Sequence, residues 1–371
     1  MKINDSLFLS ELCKHYNFNI NNYIGYKVIS KGHINTTYTL YFDYKNHVKR
    51  YLLQEINNNV FTDPKKLMDN ISGVCEHLKQ KAKKNKKKIL RIYKTKDKKN
   101  YITLSDGSIY RVYHYVENAI TFDFTNNKKI FYEAGKIIGL FSEKLSDYDT
   151  NKLYETIKDF HNTEKRYDCF IKTLESADKN LKKECKDEIN FFIENKSFAH
   201  LFNRLIKNKD IPLRVTHNDT KLNNLMFEYG SNKGLCLVDL DTIMQGTICF
   251  DYGDFVRSAC NPTFEDEKDL STVVFQKELC IEFSKGFIEK MNNLTLIEAK
   301  NLINGAIVMC YECGMRFLTD YLSNNQYFKI DYPKQNLYRC KTQIHLCKQI
   351  IENKKELDKI ILSLYDKKIT N

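Results

Sequence analysis

The sequence predicts an α+β protein in two lobes: an antiparallel sheet with one helix over residues 1–117, and a larger, mainly helical lobe over residues 118–371. Three observations carry this. Runs rich in β-branched and aromatic residues, joined by short turns, crowd the first third. Apolar residues at helical spacing dominate from about residue 126 onward. Between residues 211 and 262, short apolar strands alternate with polar residues of a restricted type.

Tyr26–Ser30 and Thr36–Phe42 form the strands of a first hairpin about the turn Lys31–Asn35, and Arg50–Ile56 is the third strand. Asp63 and Pro64 supply a helix cap and a first helical residue, after which Leu67, Ile71, Val74, Cys75 and Leu78 recur at helical spacing. Lys99–Leu104 and Ile109–Val116 are strands flanking an Asp106-Gly107 turn. Past Glu117 the character changes. Phe131, Ala134, Ile137, Ile138 and Phe141 mark one helix face, and further helices are expected around 175–207, 265–292, 297–322 and 336–364.

The 371 residues carry 59 Lys plus Arg against 47 Asp plus Glu, a net charge of +12, and 42% are hydrophobic, which excludes a disordered or collagen-like chain. The opening segment places Asp5 and Glu11 inside its apolar stretch and fits neither a signal nor a transit peptide. Apolar runs such as Ile137–Phe141 fall far short of the roughly 20 residues of a membrane span, so a cytoplasmic protein without a membrane partner is expected. The 12 cysteines then read as reduced thiols, and the pair Cys310 and Cys313, lacking a second pair at zinc spacing, as helix residues rather than metal ligands. The lysine-rich stretch 79–99 has Tyr93 as its one aromatic, so it reads as a solvated face and no nucleic-acid partner is expected.

The chemistry concentrates in Val215–Phe227, which contains H-x-D-x-K-x-x-N as His217, Asp219, Lys221 and Asn224, and in Asp239, which follows an apolar strand fifteen residues after Asn224. Phosphoryl transfer needs a carboxylate for the acceptor hydroxyl, a cation at the moving phosphate, and an amide with a carboxylate to hold magnesium. Asp219, Lys221, and Asn224 with Asp239 meet those needs in turn, with His217 bracing the loop. Asp241, two residues on, shares a strand face with Asp239 and is the second metal-ligand candidate. Asp251 and Asp254, beside Gly253, are expected to satisfy loop amides or cap a helix.

This segment resembles the catalytic and metal-binding motifs of the aminoglycoside phosphotransferase and choline kinase superfamily, which shares the protein-kinase-like fold. Residues 51–61 (YLLQEINNNVF), 217–224 (HNDTKLNN) and 238–242 (VDLDT) are similar to N-acetylhexosamine 1-kinases, as are Gly32-His33-Ile34-Asn35, Phe160–Thr163, Phe250–Asp254 and Arg316–Leu322. The resemblance implies an enzyme that uses ATP and Mg²⁺ to phosphorylate the anomeric hydroxyl of N-acetylglucosamine or N-acetylgalactosamine. It implies Arg316, Asp320, Tyr321 and Asp219 as contacts of the small-molecule sugar substrate, although Arg316 and Asp320 also have the spacing of an ordinary helical ion pair.

Two features of protein kinases are absent. The third strand offers Gln54 and Glu55 in place of the phosphate-binding lysine, and the first turn has Gly32 with His33 and Asn35 instead of a glycine-rich loop. These residues, with Tyr115 and Val116 in the segment expected to face adenine, are the nucleotide-binding candidates; the phosphate clamp itself is unassigned. Glu76 is expected to face solvent. A choline, ethanolamine, homoserine or aminoglycoside kinase is the alternative, and a non-catalytic nucleotide-binding regulator the next.

Overall fold

The computed structural model describes residues 6–29, 35–45, 47–82 and 89–370. The chain divides into two compact units, one of residues 1–119 with 152–157 and one of residues 120–151 with 158–371.

In the first unit, five strands form one antiparallel sheet in the order β1-β2-β3-β5-β4: β1 (Tyr23–Ile29), β2 (Thr36–Tyr44), β3 (His47–Glu55), β4 (Ile102–Thr103) and β5 (Ile109–His114). The strand expected over 99–104 shrinks to two paired residues, because Thr95 turns the chain by accepting the amide of Lys99. One face of the sheet buries Leu40, Phe42, Leu53 and Val112 against Phe8, Leu12 and Tyr16 of the first helix or its end, α1 (Ser6–His15). Asp63 caps α2 (Pro64–Lys81) by accepting the Lys66 amide at 3.1 Å, as its position before Pro64 predicts. Glu76 is on the surface, paired with Lys79 and Lys94.

The second unit is mostly helical. After the two-residue strand β6 (Ala119–Ile120) come α3 (Lys128–Lys144), α4 (Thr163–Ser176), α5 (Lys179–Glu184), α6 (Lys186–Glu194) and α7 (Ser197–Lys207). The single helix expected over 175–207 is thus three: Asp178 starts α5 by accepting the amides of Asn180 and Leu181, and the chain breaks again at Cys185 and at Asn195. Later helices are α8 (Ile248–Ala259), α9 (Lys277–Lys290), α10 (Leu296–Ala299), α11 (Leu302–Leu322) and α12 (Gln335–Thr370). The helix expected from 265 begins only at Lys277; a separate turn, Leu270–Thr272, capped by Asp269, precedes it.

Helix α3 packs on α9, and α11 packs on α12 and α8. The α8/α11 crossing is close because two glycines meet there: a Cβ on Gly253 would stand 2.4 Å from the backbone of Gly305, and one on Gly305 would stand 2.1 Å from the Cys249 carbonyl. Short antiparallel strands complete the unit. Strand β7 (Arg214–Thr216) pairs with β10 (Met244–Gly246), and β8 (Leu225–Glu228) with β9 (Gly234–Leu237), all antiparallel.

All 12 cysteines are free thiols, and Cys169 alone is exposed. No helix of the described residues is long and apolar enough to cross a membrane.

Candidate active site

The chain order β7, loop, β8, β9, turn, β10 folds the loop 217–224 and the turn 238–243 against each other. The Val238 amide donates to the Asn224 carbonyl at 2.9 Å, and Thr242 Oγ1 donates to the His217 carbonyl at 2.6 Å. The motif residues therefore converge from both segments.

Helix α8 carries the loop. Thr247 caps it, and Asp251 and Asp254, three apart, share one face. Asp251 accepts the amides of Asn218 (2.7 Å) and His217 (2.8 Å), while Asp254 accepts the amide of Thr220 (2.8 Å) and the Arg257 guanidinium. Thr220 Oγ1 returns a bond to the Asp251 carbonyl. Both aspartates are thus the loop supports that their position predicts. Burial pushes the Asp251 carboxyl up to about 7, against the two amides that favour its charge.

Within the loop, Asp219 Oδ2 lies 2.9 Å from Lys221 Nζ, and Asn224 Nδ2 donates to the same oxygen at 2.9 Å and to the Asp219 carbonyl at 2.8 Å. Asp219 retains 27% side-chain exposure and Lys221 34%, so both are reachable from solvent. Burial raises the Asp219 carboxyl, but the Lys221 charge and hydrogen bond, with His217 and Asn224, outweigh it and hold it below the usual carboxylate range. Burial acts against the Lys221 ammonium, but Asp219, then Asp239 and Asp254, hold it charged above its ordinary value.

His217 is fully buried. Its Nε2 faces the Val238 carbonyl at 2.9 Å and its Nδ1 accepts the Asp219 amide at 3.3 Å. One donor and one acceptor define a neutral ring, and burial holds its pKa below the ordinary imidazole value. These two bonds brace the loop.

Asp239 and Asp241 do not share a strand. Strand β9 ends at Leu237, Asp239 adopts left-handed φ 62° and ψ 64°, and Asp241 lies in the tight turn Leu240–Thr242. The local fold decides this, because the left-handed residue reverses the chain before period-2 alternation can continue. As a result Asp239 is exposed and Asp241 is 3% exposed. Asn218 is also left-handed, with φ 63°, and its side chain is tied to the Thr242 carbonyl at 2.9 Å. Residues held in this region of backbone space gather at functional sites.

The donor set fits a hard cation. Asn224 spends its Nδ2 on Asp219, which leaves its amide oxygen as the accepting face, and the exposed Asp239 supplies a carboxylate. Among the described residues no group of three His, Cys, Asp or Glu side chains gathers to hold a metal; a magnesium ion bound here would take Asn224 and Asp239 as its protein ligands.

Other expected residues fall as follows. Gly32 and His33 lie outside the described residues. Asn35 accepts the Asn57 amide. Gln54 is committed inside the sheet, donating to Thr37 Oγ1 and accepting from Arg111 Nε at 3.0 Å. Arg111, 1% exposed on β5, is a buried cation that the sequence reading missed; its signal was a lone arginine among the apolar residues of Ile109–Tyr113. Tyr115 is half-buried under the Arg50 guanidinium, 4.3 Å from its ring centre, with Arg50 also paired to Glu117; Val116 is half-buried beside it.

Arg316 makes no ion pair with Asp320. Asp320 is 5% exposed and accepts the amides of Tyr327 (2.7 Å) and Phe328 (3.0 Å) and the Asn336 side chain (2.9 Å). Tyr321 is 6% exposed and donates to Glu184 at 2.9 Å. These two polar groups are engaged in holding the fold. Arg316 differs. Its guanidinium lies 5.4, 5.8 and 6.0 Å from the rings of Phe328, Phe160 and Tyr327, and its charge, after burial, holds neighbouring Arg166 below the ordinary arginine value. Among the described residues neither arginine is ion-paired to a carboxylate.

Residues 103–269 match the model of the phosphotransferase enzyme family (APH). The fold is similar to that of choline kinase from Cryptosporidium parvum (TM-score 0.60, 13% identity, covering 97% of this chain and 100% of that one). It is similar also to aminoglycoside phosphotransferase from Alicyclobacillus acidocaldarius (0.57, 12%, 100% and 98%). A third similar structure is spectinomycin phosphotransferase in complex with ADP and spectinomycin (0.53, 14%, 98% and 99%). An antiparallel sheet unit followed by a helical unit is thus the architecture of the kinase-like phosphotransferases.

Proposed function

We propose that this protein is an ATP- and Mg²⁺-dependent phosphotransferase that acts on the anomeric hydroxyl of an N-acetylhexosamine. The observation that carries the reaction type is the Asp219 carboxylate, solvent-reachable and held ionised by Lys221, with Asn224 bonded to the same oxygen. The family match over residues 103–269 and the shared fold support it.

In this reading Asp219 orients the acceptor hydroxyl and takes its proton as the oxygen attacks the γ-phosphorus. The bond from phosphorus to the bridging oxygen of ADP breaks, and ADP leaves with that electron pair. Lys221 steadies the charge on the moving phosphoryl group, and Asn224 with Asp239 would hold Mg²⁺, which would supply charge to offset that of the nucleotide phosphates. His217, Asp251 and Asp254 keep the loop in place so that no reorganisation is needed at the moment of reaction. Nucleotide contacts are assigned to Tyr115 and Val116, and substrate contact to Arg316.

The acceptor is the finer point. Choline, ethanolamine and aminoglycosides, the second reading, are cationic, and a site for them calls for carboxylates or an open aromatic face. Here the aromatic rings of Phe160, Tyr327 and Phe328 already hold the Arg316 guanidinium, with Arg166 close by, which weighs against a cation and favours a neutral sugar.

The test is ADP release with and without Mg²⁺ across N-acetylglucosamine, N-acetylgalactosamine, glucose, galactose, choline, homoserine and kanamycin, followed by phosphorus NMR of the product. A sugar 1-phosphate is expected. Turnover with choline or kanamycin alone overturns the acceptor assignment, and absence of turnover overturns the reaction type.

A further inference from the structure

The peptide joining Asn218 to Asp219 is gripped at both ends by histidine. His217 Nδ1 accepts its N–H, and its carbonyl oxygen lies 3.2 Å from His161 Nε2. His161 is 8% exposed, in the segment before α4, and its other nitrogen, Nδ1, lies 2.8 Å from Glu312 Oε1. Glu312, on α11 and 1% exposed, accepts Thr163 Oγ1 at 2.6 Å with its second oxygen. The two rings thus differ in kind. His217 faces one donor and one acceptor, whereas both nitrogens of His161 face acceptors.

A neutral imidazole has a single N–H, so a neutral His161 would set a bare lone pair against either a carboxylate or a carbonyl. In a site packed by the rings of Phe160 and Phe250, that repulsion is unscreened by water. We propose that His161 is a permanent imidazolium that donates to Glu312 and to the Asn218 carbonyl, and that it is thereby a positioning residue for phosphoryl transfer, fixing the peptide on which Asp219 is mounted. The catalytic half of this inference rests on the phosphotransferase reading above; the charge state does not.

The charges around the ring agree. Burial works against the imidazolium, but Glu312 from α11 and Asp254 from α8 favour it, and its own charge favours ionised Asp251, also from α8. Arg316 on α11 and Arg166 on α4 are cations near Glu312, and Arg316 helps keep that carboxylate ionised. The net direction for His161 is upward from the ordinary imidazole value.

The test uses the full-length protein labelled with ¹⁵N-histidine. Long-range ¹⁵N–¹H spectra at about pH 8, above the ordinary imidazole pKa of ~6.5, should show one histidine with both nitrogens protonated, and that signal should vanish in His161→Gln. Turnover of His161→Gln should fall by on the order of 10²-fold with KM for ATP nearly unchanged. Glu312→Gln keeps the shape but removes the counter-charge, so His161 should lose its proton at lower pH. The ratio of the variant's kcat to the wild type's should then fall as pH rises and recover as pH is lowered. A neutral His161 at that pH, a pH-independent ratio, or wild-type turnover in His161→Gln overturns the proposal. If the wild type shows the imidazolium but transfers phosphate to no acceptor tried, the phosphotransferase reading falls and the positioning role falls with it.

Discussion

Asn224 bonds twice to Asp219, giving its side-chain amide to the carboxylate oxygen at 2.9 Å and to the main-chain carbonyl at 2.8 Å. Four residues of loop lie between them, and the tight turn Leu222–Asn224 closes that distance. One amide therefore aligns the carboxylate assigned to the acceptor hydroxyl and leaves its own oxygen as an acceptor.

Asp219→Asn keeps the shape of this arrangement but cannot take a proton. Turnover should fall by about 10²–10⁴-fold, with nucleotide affinity nearly intact, because a positioned base acts in the transition state. Steady-state kinetics beside nucleotide titration by calorimetry checks this; turnover near the wild-type value removes Asp219 from its role.

Asp239→Asn removes a charged ligand and should raise the Mg²⁺ concentration for half-maximal turnover by roughly tenfold, about 1.4 kcal/mol of metal binding. Asp241→Asn, at a carboxyl only 3% exposed, should change melting temperature more than the Mg²⁺ requirement. The reverse order in a Mg²⁺ titration of both variants would reassign the ligand.

Asp251→Ala strips two buried amides of their acceptor, at a cost of about 1–3 kcal/mol for each. The native carboxylate also leaves a pH signature. Its folded pKa, about 7, lies above the ordinary 3.8, so its contribution is fully present below that ordinary value and is lost as pH rises through about 7. Denaturant midpoints should therefore contain a component falling between those limits in the wild type and missing in Asp251→Asn; identical pH profiles for the two proteins would contradict it.

Gly253→Ala inserts a methyl where the α11 backbone already stands 2.4 Å away. Separating α8 from α11 should cost on the order of 1–3 kcal/mol, and because α8 holds the loop through Asp251 and Asp254, turnover should fall even where the protein stays folded. Thermal melts paired with kinetics at a temperature well below the transition check both parts.

The sheet strands and the motif loop were legible because their signals are local. Threonine and aromatic residues specify β2 whatever lies elsewhere, and Asp63 before Pro64 starts α2 by satisfying its own helix end. Asp251 and Asp254 were legible as supports because an aspartate near a helix start seeks backbone amides. The helix over 175–207 misled because its apolar periodicity runs through the breaks that Asp178, Cys185 and Asn195 impose.

By itself, then, the sequence determined the chemical inventory and its spacing: His217, Asp219, Lys221 and Asn224 on one loop, Asp239 after the next strand, Gln54 and Glu55 in place of a phosphate-binding lysine, and a helix that begins where Asp63 caps it. Only the tertiary structure decided which partner each group takes. Asp320 and Tyr321 went to loop amides and Glu184, Arg316 to three rings, and His161 to a glutamate 151 positions away. The physical reason is that spacing along a chain fixes only which neighbours within a turn or two can meet. The choice among hydrogen-bond partners farther off follows from which helix faces pack together.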